Sequence, residues 1–150
     1  MKAGLSSPVG PLTLIEREGG IAELEWDASG GAPQTPLLRE ALAELDAYFA
    51  GKLTTFSVPL KPRGSVFQQK FYAALCAIPF GETRTYGDLA AELGVSAQAI
   101  GQACGANPLA IMIPCHRVLG ASSLGGFSGR GGVEAKVALL KHEGAAGLLI

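Results

Sequence analysis

The sequence has 150 residues, 48% of them hydrophobic, enough to bury the core of one compact domain or two small ones, which excludes disorder as the default. Its formal charge at pH 7 is −1, divided unevenly: residues 1–60 carry four basic and eight acidic side chains, residues 61–150 eight and five. The second half can therefore meet phosphate, weakly and with salt sensitivity, although an ordinary solvated surface explains the same charges.

No apolar run approaches the ~20 residues of a membrane span, and Met1-Lys2-Ala3 leads into no apolar signal core. The expectation is a soluble, cytoplasmic protein without a membrane partner. Cys76, Cys104 and Cys115 are an odd number, spaced unlike paired zinc ligands or a secreted disulfide framework, and read as reduced thiols. With His116 and His142 the only histidines, no metal site is expected.

In chain order, Leu12-Thr13-Leu14-Ile15-Glu16 and Ile21-Ala22-Glu23-Leu24-Glu25-Trp26 alternate as strands do, with a turn at Glu18-Gly19-Gly20. Residues 28–36 are loop-like. Leu37, Leu38, Leu42, Leu45, Tyr48 and Phe49 then recur at helical spacing until Gly51, and Thr54 to Leu60 is strand-prone. Lys61-Pro62-Arg63-Gly64 reads as a linker between residues 1–60 and 61–150.

Beyond it, Ser65-Val66-Phe67-Gln68 is a capping-box pattern opening a helix whose apolar face is Phe67, Phe71, Leu75 and Ile78, with Cys76 expected in the core. Thr85-Tyr86-Gly87-Asp88 caps a shorter helix through Leu93, and Gly94-Val95 turns into a third from Ser96 to about Gly105. Residues 125–132 are too glycine-rich for a helix and suit a wing, followed by a last helix from Val133 to Glu143 ended by Gly144. The fold expected is α+β: a small N-terminal sheet and helix domain, then a C-terminal winged helix-turn-helix domain.

The residues that point to chemistry are Ile113-Pro114-Cys115-His116-Arg117-Val118. Pro114 has no N–H and a fixed φ, so Cys115 sits at the end of an element rather than inside a helix. An imidazole that takes the proton, directly or through a water, makes a thiol a nucleophile. Taken alone, the dipeptide more often marks a buried structural cysteine. Its company decides otherwise: Asn107-Pro108 precede it, His142-Glu143-Gly144 follow, and Ile78-Pro79-Phe80-Gly81, Thr85-Tyr86-Gly87-Asp88-Leu89-Ala90 and Gly125-Gly126-Phe127-Ser128-Gly129 stand in order.

Over residues 65–144 this set resembles the O6-alkylguanine-DNA alkyltransferases. The resemblance implies direct-reversal DNA repair, with stoichiometric transfer of the alkyl group from O6-alkylguanine to Cys115 and O4-alkylthymine as a further candidate substrate. It assigns Glu143 to orient His116, His116 to take the thiol proton through a water, Asn107 to hold the active-site turn and Arg117 to steady the segment. Tyr86 resembles the family's nucleotide-flipping tyrosine. Gln98 stands where family members typically carry an arginine that fills the gap left by the flipped nucleotide, and a glutamine supplies neither its charge nor its stacking plane. Phe127 replaces a frequent tyrosine, so base contact falls to Ser128, the main chain around Val118 and apolar packing.

The implied partner is alkylated double-stranded DNA, approached by the third helix from the minor groove with little sequence preference, by a monomer and without a cofactor. Two other readings remain. A non-enzymatic sensor of alkylated DNA would recruit other repair factors, but such sensors usually lack the cysteine. A winged-helix regulator would need a charged recognition helix and gives Cys115 no role.

Overall fold

The computed structural model describes residues 1–122, 124–125 and 132–145. The chain divides into two compact units, Met1–Arg63 and Gly64–Ile150. The α+β class expected from the sequence is the class observed.

In the first unit β1 (Lys2–Ser7), β2 (Gly10–Arg17) and β3 (Gly20–Glu25) form an antiparallel sheet in the order β1-β2-β3. The β2–β3 turn has Glu18 and Gly19 both at positive φ, 53° and 77°, the twist that a two-residue hairpin requires. Helix α1 (Pro36–Phe49) starts where the Thr35 hydroxyl accepts the Leu38 N–H, with Pro36 in its first turn. It packs Leu38, Ala41, Leu45 and Tyr48 against the sheet, which contributes Leu12, Leu14, Ile21 and Leu24. Each such buried Leu or Ile side chain contributes roughly 1.5–3 kcal/mol.

Strand β1 had no reading in the sequence. One expectation fails here: Thr54–Leu60 adds no strand. Only Leu60 bridges to Ile21, framed by the Ile21 N–H to Pro59 O and Lys61 N–H to Ile21 O bonds. Pro59 and Pro62 lack the N–H groups a ladder would need to extend.

In the second unit α2 (Val66–Cys76) opens with the Ser65–Gln68 capping box, and Phe71, Tyr72 and Leu75 are buried. Cys76 is exposed, not in the core as expected. It follows Leu75 directly and so points about 100° away from the buried stripe of Phe71, Leu75 and Ile78. Helix α3 (Tyr86–Leu93) has Thr85 and Asp88 as its capping box and ends at Gly94; α4 (Ala97–Gly105) is capped by Ser96. These two helices pack together as the helix-turn-helix.

Two short strands escaped the sequence reading: β4 (Arg84–Thr85) pairs in parallel with β5 (Val118–Leu119), joining the start of α3 to the end of the cysteine segment. Helix α5 (Val133–Glu143) ends at a left-handed Gly144. Most of the expected wing, including Phe127 and Ser128, lies outside the described residues.

Candidate active site

Between α4 and β5 the chain makes a turn that its own sequence resists. Ile111 sits at φ 75°, a left-handed conformation that costs a β-branched residue of order 1–3 kcal/mol. Asn107 holds it there. Its Nδ2 donates to Ile113 O at 2.9 Å and its Oδ1 accepts the Leu109 N–H at 3.0 Å, while Ile113 N–H donates to Leu109 O at 2.9 Å. Leu109 to Val118 is buried throughout.

This turn delivers Cys115 to the first position of a single 3-10 turn, Cys115–Arg117, after Pro114. The Cys115 N–H donates to Ile113 O at 2.8 Å, and Cys115 O accepts the Val118 N–H. Cys115 is 3% exposed. Cys104 lies close enough to feel it: burial pushes the Cys104 thiol up to about 12, with Cys115 adding to the rise and Lys136 opposing it. Cys104 therefore stays protonated and inert at neutral pH.

The next two residues share one carboxylate. His116 Nε2 lies 2.7 Å from Glu143 Oε2, and Arg117 donates from Nε to Oε1 at 2.8 Å and from Nη2 to Oε2 at 3.0 Å. Arg117 Nη1 donates to Ile78 O at 2.6 Å, and its guanidinium lies 5.9 Å from the centre of the Phe80 ring. An ionised carboxylate only accepts, so Nε2 is the protonated nitrogen of His116 and Nδ1 the basic one. Nδ1 is buried and has no hydrogen-bond partner among the described residues.

Burial pushes the His116 imidazole below its ordinary value. Its hydrogen bond and charge interaction with Glu143 pull it back, and Arg117 and Lys136 add to the lowering. A neutral imidazole with a basic Nδ1 is a proton acceptor, and the Glu143 carboxylate can stabilise the cation that results. Glu143 reaches this point as the last residue of α5, on the buried stripe of that helix.

Lys136, on the same stripe, was missed by the sequence reading. It is fully buried, donates from Nζ to Val118 O at 2.6 Å, and lies 5.7 Å from the centre of the Tyr86 ring. Burial lowers its ammonium from the ordinary value, with Cys104 and Cys115 opposing. A signal was available: residues 135, 136, 139, 140 and 143 follow helical spacing, and Lys136 and Glu143 are the charged members of an otherwise apolar set. The role of Ile78 to Gly81 as the wall of this site was equally unassigned.

Cys115, His116, Arg117, Val118, Asn107 and Glu143 are thus brought together, and Tyr86 adjoins them through Lys136. Tyr86 is half-buried at the first position of α3, and a Cβ on Gly125 would fall 2.5 Å from its hydroxyl. Gln98 stands apart, exposed on the first turn of α4. Among the described residues no group of His, Cys, Asp and Glu side chains could hold a metal ion, and no helix is long and apolar enough to cross a membrane.

A reduced, buried thiol one residue before an imidazole that a buried carboxylate holds describes a candidate nucleophile, and comparison with known proteins gives it a lineage. Residues 66–145 match the family model for the DNA-binding domain of 6-O-methylguanine DNA methyltransferase, and residues 2–62 that for its ribonuclease-like domain. The methylated-DNA–protein-cysteine methyltransferase of Mycobacterium bovis is 44% identical over 149 residues, covering 93% of this chain and 89% of that protein. Its counterpart from Methanosarcina barkeri is 40% identical over 150 residues, covering 93% and 94%. The structure of Mycobacterium tuberculosis OGT in complex with DNA superposes with a TM-score of 0.83 at 43% identity, covering 95% of this chain and 92% of that one. The chain belongs to the methylated-DNA–protein-cysteine methyltransferase family.

Proposed function

We propose that Cys115 is the alkyl acceptor of a direct-reversal DNA repair reaction, and that the carboxylate shared by His116 and Arg117 is the observation that carries this reading. The protein is a methylated-DNA–[protein]-cysteine S-methyltransferase acting once per molecule, and its substrate is O6-alkylguanine in DNA. His116 Nδ1 takes the Cys115 proton, directly or through one water, while Glu143 fixes the ring and stabilises its cation. The sulfur attacks the alkyl carbon, the carbon–O6 bond breaks, and the proton that left sulfur ends on guanine. A thioether remains on Cys115. It is not hydrolysed, so the site is spent.

Chemistry on a paired base requires extrusion from the stack, at a cost of a few kcal/mol. Tyr86, at the N-terminal end of α3, opens the backbone, and Gln98 on α4 fills the vacated space from the minor groove. The α4 face offers Ala97, Gln98 and Gly101, which permit close approach but little base-specific reading. By the family resemblance, base contact falls to the main chain at Val118 and to Phe127 and Ser128, the last two outside the described residues. Arg117 and Asn107 position the reacting segment. The N-terminal unit has a supporting role, the protein acts as a monomer, and the three thiols suit the reducing cytoplasm.

The test is intact mass after incubation with excess duplex containing O6-methylguanine. A gain of one methyl per chain and no more is expected. An unchanged mass with tight lesion-selective binding would replace this reading by that of a sensor.

A further inference from the structure

Between the start of α2 and one side of α4 lies an open groove of about 500 Å³, lined by Phe67, Gln68, Ala99, Gln102, Ala103 and Ala106 and bounded by Ser65. None of the site residues named above lines it. We propose that this groove is a binding site for one unpaired nucleobase of a DNA strand, separate from the Cys115 pocket; the inference rests on DNA binding by this unit and not on the transfer chemistry.

The lining selects the ligand. It has no Lys, Arg, Asp or Glu, so it offers a phosphate or carboxylate no countercharge. Nor does the α2 N-terminus supply one: the Ser65 hydroxyl accepts the Gln68 N–H at 3.1 Å, and Gln68 Oε1 accepts the Ser65 N–H at 2.7 Å, so the helix caps itself. What remains is a phenyl ring, two carboxamides and three methyl groups.

Phe67 is half-buried and backed by Phe71, ring centroids 6.4 Å apart and planes inclined by 21°. A planar ligand laid against it would extend an existing stack. Gln102 is exposed and offers a donor and an acceptor, and Gln68, its oxygen engaged by Ser65, offers chiefly donors. A neutral, flat, edge-hydrogen-bonding group meets all three features, and an aromatic platform beside a DNA-binding helix is how single strands are held without sequence reading. Position supports the same occupant: Gln102 lies one turn after Gln98 on α4, so a strand passing Gln98 reaches the groove without leaving the helix.

The experiment titrates the full-length protein against two end-labelled, lesion-free single strands of equal length, one bearing bases and one abasic at every position. The base-bearing strand should bind roughly tenfold tighter, the size expected for one stacked base. Ala106→Trp, which fills the groove, and Gln102→Ala should reduce that ratio, Ala106→Trp to near one. Ala106→Trp should change neither the melting temperature nor the methyl-transfer rate at saturating lesion duplex. Equal wild-type affinity for the two strands, or a ratio preserved in Ala106→Trp, would overturn the site. A base preference in a protein that transfers no methyl group would uphold the groove and count against the proposed chemistry instead.

Discussion

The network around Glu143 and the outer face of α4 belong to one unit and distribute charge in opposite senses. His116, Arg117, Lys136 and Glu143 are buried, whereas Ala97, Gln98, Gly101 and Gln102 are exposed and none carries a charge. Burying ionisable groups is costly unless they are paired, and here Glu143 satisfies both His116 and Arg117. The inside is arranged for chemistry. The outside is arranged for close approach, and α4 itself contributes no ionic attraction to phosphate.

The interior half of that contrast breaks most severely at Glu143. Glu143→Ala leaves Arg117 and His116 buried without their carboxylate and should cost about 3–5 kcal/mol of stability, together with methyl transfer. Thermal melting and single-turnover transfer measure both. Glu143→Gln, close in shape, separates the two effects by folding better than the alanine variant while failing to support His116 as a base.

Asn107→Ala removes two buried hydrogen bonds from the turn that keeps Ile111 left-handed, and about 2 kcal/mol of destabilisation is expected. A melting temperature within a degree or so of wild type, against the ~4 degrees or more expected for a loss of that size, would mean the turn holds itself.

A third prediction sharpens the contrast through pH. Because burial lowers the His116 value in the folded state, the unfolded chain binds the extra proton first. Stability is complete above the ordinary histidine value and falls as pH drops through it toward the lowered folded value. Melting temperatures should decline below about pH 6.5, and a His116→Gln variant should lose that part of the slope.

The smallest effect concerns the exterior. Gln98→Arg adds one cation to the α4 face, which should tighten duplex binding, speed repair and steepen log K against log salt by about 0.9. An unchanged slope would place residue 98 away from the phosphates.

Helix boundaries in the C-terminal unit were legible because their signals are local: Ser65 with Gln68, Thr85 with Asp88, and Gly94 and Gly144 as stops. Strands β4 and β5 were not, since two-residue strands have no period and pair across 33 intervening residues. Cys76 was misplaced by a single position along a helix, which rotates a side chain off the core face.

At the candidate site, Cys115, His116, Glu143 and Asn107 were picked out through their motifs; His116 and Glu143 are in contact, and Asn107 holds the turn that leads into Cys115. Lys136 was not, because a lysine in a helix reads as solvated until the burial of its whole stripe is known. That Arg117 shares Glu143 with His116 depends on a contact 26 residues away in sequence, which spacing alone cannot reveal.

The most direct test is where the alkyl group goes when three thiols are available. After reaction with duplex DNA containing O6-methylguanine, peptide mapping should find the methyl on Cys115 alone, with exposed Cys76 and buried Cys104 unmodified. Methylation of Cys76 or Cys104 in wild type, or continued transfer by Cys115→Ala, would contradict the claim that the Glu143 network makes Cys115 the acceptor.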